Sequence, residues 1–231
     1  MQTIKRIFKA KKQAMIIHNF EKQNTLLNQF IAELRDSTIQ TDRMRFRRNI
    51  ERIGEILGYE LSKTLSYRSI KVKTPLGEKS ISVPNDALVL CSVLRAGLPL
   101  HTGLLNYFDA AENAFISAFR HHPDGNDTFE IITNYLASPS IANKTLVLSD
   151  PMLATGKTLE NILKAIKKHG LPKQIHIVAV IGSSSGINYI KKLFPQNTQL
   201  WIAAVDDNLN SRGYIIPGLG DAGDLSYGTK L

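Results

Sequence analysis

Two carboxylates, two arginines and one Thr-Gly-Lys-Thr run are the residues whose types and spacing could do chemistry in this chain. Asp150 is followed by Pro151, Met152, Leu153 and Ala154, and then by Thr155-Gly156-Lys157-Thr158. Hydroxyls and a glycine placed just ahead of a helix bring several backbone N–H groups and a partial positive charge to one point, which suits a phosphate. Arg95 stands directly after the apolar run Ala87 to Leu94, and Arg120 stands in the same relative place after Ala114 to Phe119. A charged residue that ends a buried strand sits at the carboxyl edge of the sheet, where open α/β sheets bind ligands. Position alone leaves Arg95 either as a ligand contact or as half of a helix-end or inter-subunit salt bridge.

The second carboxylate, Asp221, belongs to a tail in which Gly218, Gly220 and Gly223 are framed by Pro217 and Asp224. So many glycines exclude a helix or a strand interior, and Tyr214, Ile215, Ile216 and Leu219 are poor company for a solvated, disordered end. The tail therefore reads as an ordered loop. Bare backbone of this kind can approach a flat ligand and read its donors and acceptors, or it can simply pack against the sheet or a second subunit.

The elements that must position these residues follow from periodicity. Leu146, Val147 and Leu148 form a short buried strand ending at Asp150, and Leu159, Ile162, Leu163 and Ile166 form one face of a helix that stops at Gly170. Earlier, Leu26 to Leu34 and Phe46 to Leu61 have helical spacing, and Ile70 to Val83, turning at Pro75 to Glu78, reads as a hairpin. Gln174 to Ile181 and Gln199 to Val205 are further strands, with a short helix after Ser183-Ser184-Ser185-Gly186. Phe129 to Leu136 resumes an apolar pattern after a polar turn, as a flap over the sheet edge would. Alternating strands and helices predict an α/β fold, a central mostly parallel sheet flanked by helices.

The 231 residues suit a single domain, with residues 1–20 as a basic extension and 206–231 as the tail. A formal charge of +9 favours polyanionic partners such as phosphorylated metabolites. Arg43, Arg45, Arg47, Arg48 and Arg52 crowd the start of the second helix, against its dipole, as a solvated face or a contact for acidic groups. The lone cysteine, Cys91, excludes an intrachain disulfide, and no run is long enough for a membrane span, so a cytoplasmic protein is expected. His121 and His122 are adjacent and would point apart on an extended chain, which argues against a metal site.

Three separated motifs resemble one family. Asp150 to Thr158, Leu94-Arg95-Ala96-Gly97-Leu98, and Gly213 through Asp224 to Tyr227-Gly228-Thr229-Lys230 are similar to uracil phosphoribosyltransferase, in the same order. The resemblance implies the type I phosphoribosyltransferase fold and conversion of uracil and phosphoribosyl diphosphate (PRPP) to UMP and diphosphate, a pentosyl transfer of pyrimidine salvage. It implies that 154–158 holds the ribose 5′-phosphate, that Asp150 accepts hydrogen bonds from the ribose hydroxyls, and that Arg95 and Arg120 reach the diphosphate. Pro151, Met152, Leu153, Lys157 and Asp221 complete the PRPP site, and Ile215, Gly220, Asp221 and Ala222 contact uracil. It implies Mg²⁺ held mainly by substrate oxygens, GTP binding, and a homo-oligomer, dimer or tetramer, with no membrane or nucleic-acid partner.

Four positions depart from the family pattern: Lys157 in place of glycine, Gly182-Ser183-Ser184-Ser185, His121-His122, and Leu225 after Asp224. Two rival readings remain at this level. One is a P-loop nucleotide hydrolase, suggested by Gly156-Lys157-Thr158, although Pro151 occupies the place of the opening glycine. The other is an RNA-binding pyrimidine regulator on the same scaffold, for which no recognised RNA-binding motif is visible.

Overall fold

Leu146, Val147 and Leu148 are all fully buried, and they lie on a strand in the middle of an eight-stranded sheet. This is a computed structural model, and it describes residues 15–121 and 130–230, with side chains throughout except at 118–121 and 130–134. The chain begins with β1 (Ile16–Asn19), α1 (Leu26–Arg35) and α2 (Arg43–Ser62), then the hairpin β2 (Tyr67–Thr74) and β3 (Gly77–Pro84). β4 (Leu88–Leu94), α3 (Leu98–Leu105), β5 (Glu112–His121) and β6 (Glu130–Ala137) follow. The second half holds β7 (Thr145–Ser149), β8 (Met152–Leu153), α4 (Lys157–Ile166), β9 (Gln174–Ser183), α5 (Ser184–Leu193) and β10 (Gln199–Asp206). It closes with β11 (Asn208–Leu209), β12 (Ile215–Ile216) and α6 (Ala222–Tyr227).

The strand order is β1-β10-β9-β7-β4-β5-β6, with β8 beside β9, and every pairing is parallel except β5 with β6. From β4 the chain crosses through α3 to β5 on one side, and from β7 it crosses through α4 to β9 on the other. β4 and β7 are neighbours, so their carboxyl ends border the point where the winding reverses, and such a crevice is the usual ligand site of open α/β sheets. Alternate strand residues feed two cores. Leu90, Val147, Val178 and Trp201 pack with Phe46, Ile50, Ile53 and Leu57 of α2, and Cys91, Leu146, Leu148 and Ile177 pack with Leu159, Ile162 and Ile190 of α4 and α5. Each such side chain contributes about 1.5–3 kcal/mol on burial, which is what holds both helix layers on the sheet.

Several expectations change. The stretch assigned to a basic extension, 1–20, already contains β1, which pairs Ile16 to Asn19 with Gln199 to Ile202 of β10, so the fold starts ahead of residue 20. Residues 1–14, and with them Lys5 to Lys12, lie outside the described residues. Met152-Leu153, read as irregular loop, is a short strand because Pro151 O accepts from Val180 N (3.2 Å) and Ile181 N (3.0 Å) and draws the chain along β9. The tail, read as a loop only, contains α6, since Asp221 Oδ1 accepts from Gly223 N and Asp224 N and so nucleates a turn despite the glycine. Arg120 lies within β5 rather than after a strand. Parallel pairing with β4 ends at Ser117, and from Ala118 to His121 the strand pairs, among the described residues, only with β6. The two strands thus extend past the sheet edge as the expected flap, whose tip, with His122, lies outside the described residues.

Candidate active site

The Thr155 to Thr158 segment turns on Gly156, which takes φ +79° as the residue before α4. A Cβ at Gly156 would sit 2.9 Å from Ile190 Cγ2 and 3.0 Å from Tyr189 Cδ1, so this turn and the close approach of α5 both require glycine. Having no side chain, Gly156 offers α4 no cap, and the first-turn amides border a concavity lined by Asp150, Met152, Leu153, Ala154, Thr155, Gly156, Thr158 and Leu159. Of the residues expected from Asp150 to Thr158, all but Pro151 and Lys157 line this one surface. Asp150 is largely buried at the end of β7, and its Oδ1 accepts from Met152 N at 3.2 Å. Lys157 is exposed as the first residue of α4.

A support for this loop went unread in the sequence. Ser183, fully buried, donates its hydroxyl to Ala154 O (2.6 Å) and accepts from Gly186 N (2.9 Å), capping α5. Gly186 lies so close that a Cβ would be 2.0 Å from Ala154 O. The departure at Gly182 to Ser185 is thus a clamp on the back of the Ala154 to Thr158 loop. The signal was available as a serine three residues before a helical glycine, the N-cap pattern.

On the other side of the crevice, β4 ends at Leu94 and the next peptide, Leu94–Arg95, is cis. Arg95 Nη2 donates to Asp224 Oδ1 (3.1 Å) and to Gly228 O (3.1 Å). A Cβ built on Gly223 would come within 3.8 Å of Ala96 Cβ, so α6 abuts the Arg95-Ala96-Gly97 turn. Of the residues expected to contact uracil, Gly220 is exposed and Asp221 half-buried, while Ile215 and Ala222 pack into the α2-side core. Contacts from Ile215 and Ala222 would have to come from their backbone. The side chain of Arg120 lies outside the described residues.

The tail is fastened by arginines. Arg47 Nη1 donates to Ser226 O (2.7 Å) and the guanidinium lies 5.8 Å from the centre of the Tyr227 ring. Arg35, which the sequence reading passed over, pairs with Asp206 and reaches Gly218 O. The rest of the arginine cluster is largely answered within the chain: Arg45 pairs with Glu33 (3.0 Å), Arg48 with Glu51, and Arg52 donates to Asn49 and covers Phe30. Three hydrogen bonds, from Asn49, Gln29 and Arg45, hold the Glu33 carboxyl down at about 2.

Among the described residues, no three His, Cys, Asp or Glu side chains converge as a metal cluster would, and no helix is long and apolar enough to cross a membrane. With no such cluster among the described residues, a Mg²⁺ ion here would have to take most of its ligands from substrate oxygens and water. The extended run Pro151 to Leu153 along β9 does not curl as the opening of a P-loop would.

Comparison with known proteins follows the same lines. The family model described as uracil phosphoribosyltransferase matches residues 21–229. A uracil phosphoribosyltransferase from Porphyromonas gingivalis is 54% identical over 209 residues, covering 90% of this chain and 96% of the relative. One from Pyrococcus furiosus is 39% identical over 218 residues, covering 93% and 91%. Among solved structures, that of the AQ2163 protein from Aquifex aeolicus superposes with a TM-score of 0.82 at 31% identity, covering 94% of this chain and all of that one. With the family model spanning both halves of the crevice and more than half of the aligned residues shared with a bacterial member, this chain belongs to the uracil phosphoribosyltransferase family.

Proposed function

We propose that this chain transfers the phosphoribosyl group of PRPP to uracil in pyrimidine salvage: the bond from ribose C1 to the diphosphate breaks, a bond from C1 to uracil N1 forms, N1 gives up its proton, and UMP and diphosphate leave. The observation that carries this reading is the pairing of the Asp150 to Thr158 concavity after β7 with the Arg95 turn and docked tail after β4, across the switch point of the sheet.

In this reading the amides of the first turn of α4, with the Thr155 and Thr158 hydroxyls, hold the 5′-phosphate, and Asp150 orients the ribose hydroxyls. Positioning and electrostatics suffice for departure of diphosphate from an oxocarbenium-like C1, so no side-chain nucleophile is needed. Arg95 and Arg120 face charge that grows on the leaving diphosphate and so stabilise the transition state more than the ground state. Bound with PRPP, Mg²⁺ would supply further neutralisation of that charge, with Asp221 facing the metal-bound phosphoribosyl group. The backbone from Gly220 to Ala222 reads uracil, telling a 4-oxo from a 4-amino pyrimidine.

The homo-oligomer expected for the family has a candidate contact in the β2–β3 hairpin, which among the described residues pairs only with itself and exposes Tyr67, Leu76 and Ile81. A reducing, cytoplasmic setting accords with Cys91, which is buried with its thiol pushed up to about 12 by desolvation. Incubation with labelled uracil, PRPP and Mg²⁺ tests the assignment. Labelled UMP is the expected product, and its absence across pH and protein concentration would overturn the reading.

A further inference from the structure

One ion pair holds both the N–H and the C=O of a single residue of the glycine-rich tail, and its partners lie at the ends of α1 and β10 rather than in the turn they hold. Arg35, the last residue of α1, donates Nη1 to Asp206 Oδ2 (2.8 Å) and to Gly218 O (3.0 Å), and Nη2 to Asp206 Oδ1 (2.9 Å). Asp206, the last residue of β10, accepts in turn from Gly218 N at 3.0 Å through Oδ2. Gly218 therefore has its N–H on the carboxylate and its C=O on the guanidinium. Its φ is +62°, and a Cβ there would sit 2.2 Å from Ile215 O, so the turn is tight and left-handed.

Direction follows from this geometry. The peptide at Gly218 sets how the chain leaves toward Gly220 and Asp221, two and three residues on, and Asp221 then caps α6. Gln40 Nε2 donates to Leu34 O and Arg35 O, holding the end of α1 that carries the arginine. The same Gln40 side chain borders Gly220, its Oε1 lying 3.8 Å from a Cβ placed there. The arginine at a helix C-terminus is also well placed against the dipole. Asp206 is 9% exposed, so loss of the arginine would leave a carboxylate largely buried without its main partner.

We infer that Arg35 and Asp206 are positioning residues for uracil recognition, aiming the backbone of the base loop without touching the base. This rests on the reading that Gly220 to Ala222 bind uracil. Lysine, a point charge, cannot span the two carboxylate oxygens and the Gly218 carbonyl as the guanidinium fork does.

The test compares Arg35→Lys, Asp206→Asn and Gly220→Ala by steady-state kinetics with each substrate varied, alongside thermal unfolding. Arg35→Lys and Asp206→Asn are expected to raise KM for uracil about tenfold or more, the scale of losing a charge-assisted hydrogen bond, while KM for PRPP moves less than about twofold. A fall in unfolding temperature or in active fraction with KM for uracil unchanged would overturn the inference, as would equal rises in both KM values. If Gly220→Ala raises KM for uracil and Arg35→Lys does not, the base loop stands and the positioning role falls. If none of the three moves KM for uracil, the base-loop reading falls and takes this inference with it.

Discussion

Arg95 and Asp224, 129 residues apart in the chain, meet at 3.1 Å, and through this pair the turn after β4 and the C-terminal helix become one wall of the crevice. Both side chains keep solvent contact, 40% and 29% exposed, so the pair adds little to stability and leaves the arginine open to an incoming anion. Arg95→Ala is expected to lower kcat/KM for PRPP about a hundredfold or more, the scale of losing a fixed donor to developing charge. Its unfolding midpoint should stay close to that of the unmodified protein. Kinetics within twofold of the unmodified enzyme would remove Arg95 from the diphosphate site.

The phosphate loop should be intolerant at Gly156 and tolerant at Lys157. Gly156→Ala places a side chain at φ +79° and against Ile190 and Tyr189, a cost of about 1–3 kcal/mol, and its KM for PRPP should rise. Lys157→Gly should keep kcat within a few-fold, because in the proposed site the phosphate is held by first-turn amides and the Thr155 and Thr158 hydroxyls rather than by the exposed ammonium. Near-total loss of activity in Lys157→Gly would make the lysine a phosphate ligand.

Ser183→Ala removes the donor to Ala154 O and the acceptor for Gly186 N at once. Loss of such a cap, with one buried carbonyl orphaned, costs about 1–3 kcal/mol, measurable by urea unfolding. PRPP binding should weaken with it while KM for uracil is less affected, since the clamp lies behind the ribose-phosphate half of the site.

His176 makes stability pH-dependent below neutrality. It is fully buried between β-strands, its Nδ1 accepts from Trp201 Nε1 at 3.1 Å, and burial pushes its pKa down to about 4, with His18 adding to the shift and Asp86 opposing it. Above about 6.5 the imidazole is neutral in both folded and unfolded chains and contributes no slope. Between about 6.5 and about 4 only the unfolded chain takes up the proton, so stability falls with pH, by about 2 kcal/mol between pH 7 and pH 5. Urea unfolding at the two pH values should show this loss, and His176→Gln should shrink the difference.

Much of the site was legible because its signals are local. The strand Leu146 to Leu148, the turn at Gly156 and the apolar face from Leu159 to Ile166 depend on residues a few positions apart, whose spacing is visible in one dimension. The helix in the tail was not. Gly223 alone argues against it, and only the cap from Asp221 together with packing against Ala96 and Arg47 reverses that preference. β1 was hidden by its basic neighbours, and its four residues become a strand only because β10 offers an open edge.

The sequence by itself determined the alternation of strands and helices, the glycine turn between Asp150 and Thr158 with chemistry suited to a phosphate, and the presence of a glycine-rich tail able to bring bare backbone to a ligand. Hydrophobic period and turn chemistry act between near neighbours, so they survive without a fold. Only the tertiary structure decided that β4 and β7 lie side by side, that Ser183 holds the Ala154 to Thr158 loop from behind, and that Arg35, Arg47 and Arg95 fasten the tail. These contacts join residues 29 to 183 positions apart, and hydrogen bonds and ion pairs reach only a few ångströms, so partners at such separations meet only after the chain has folded.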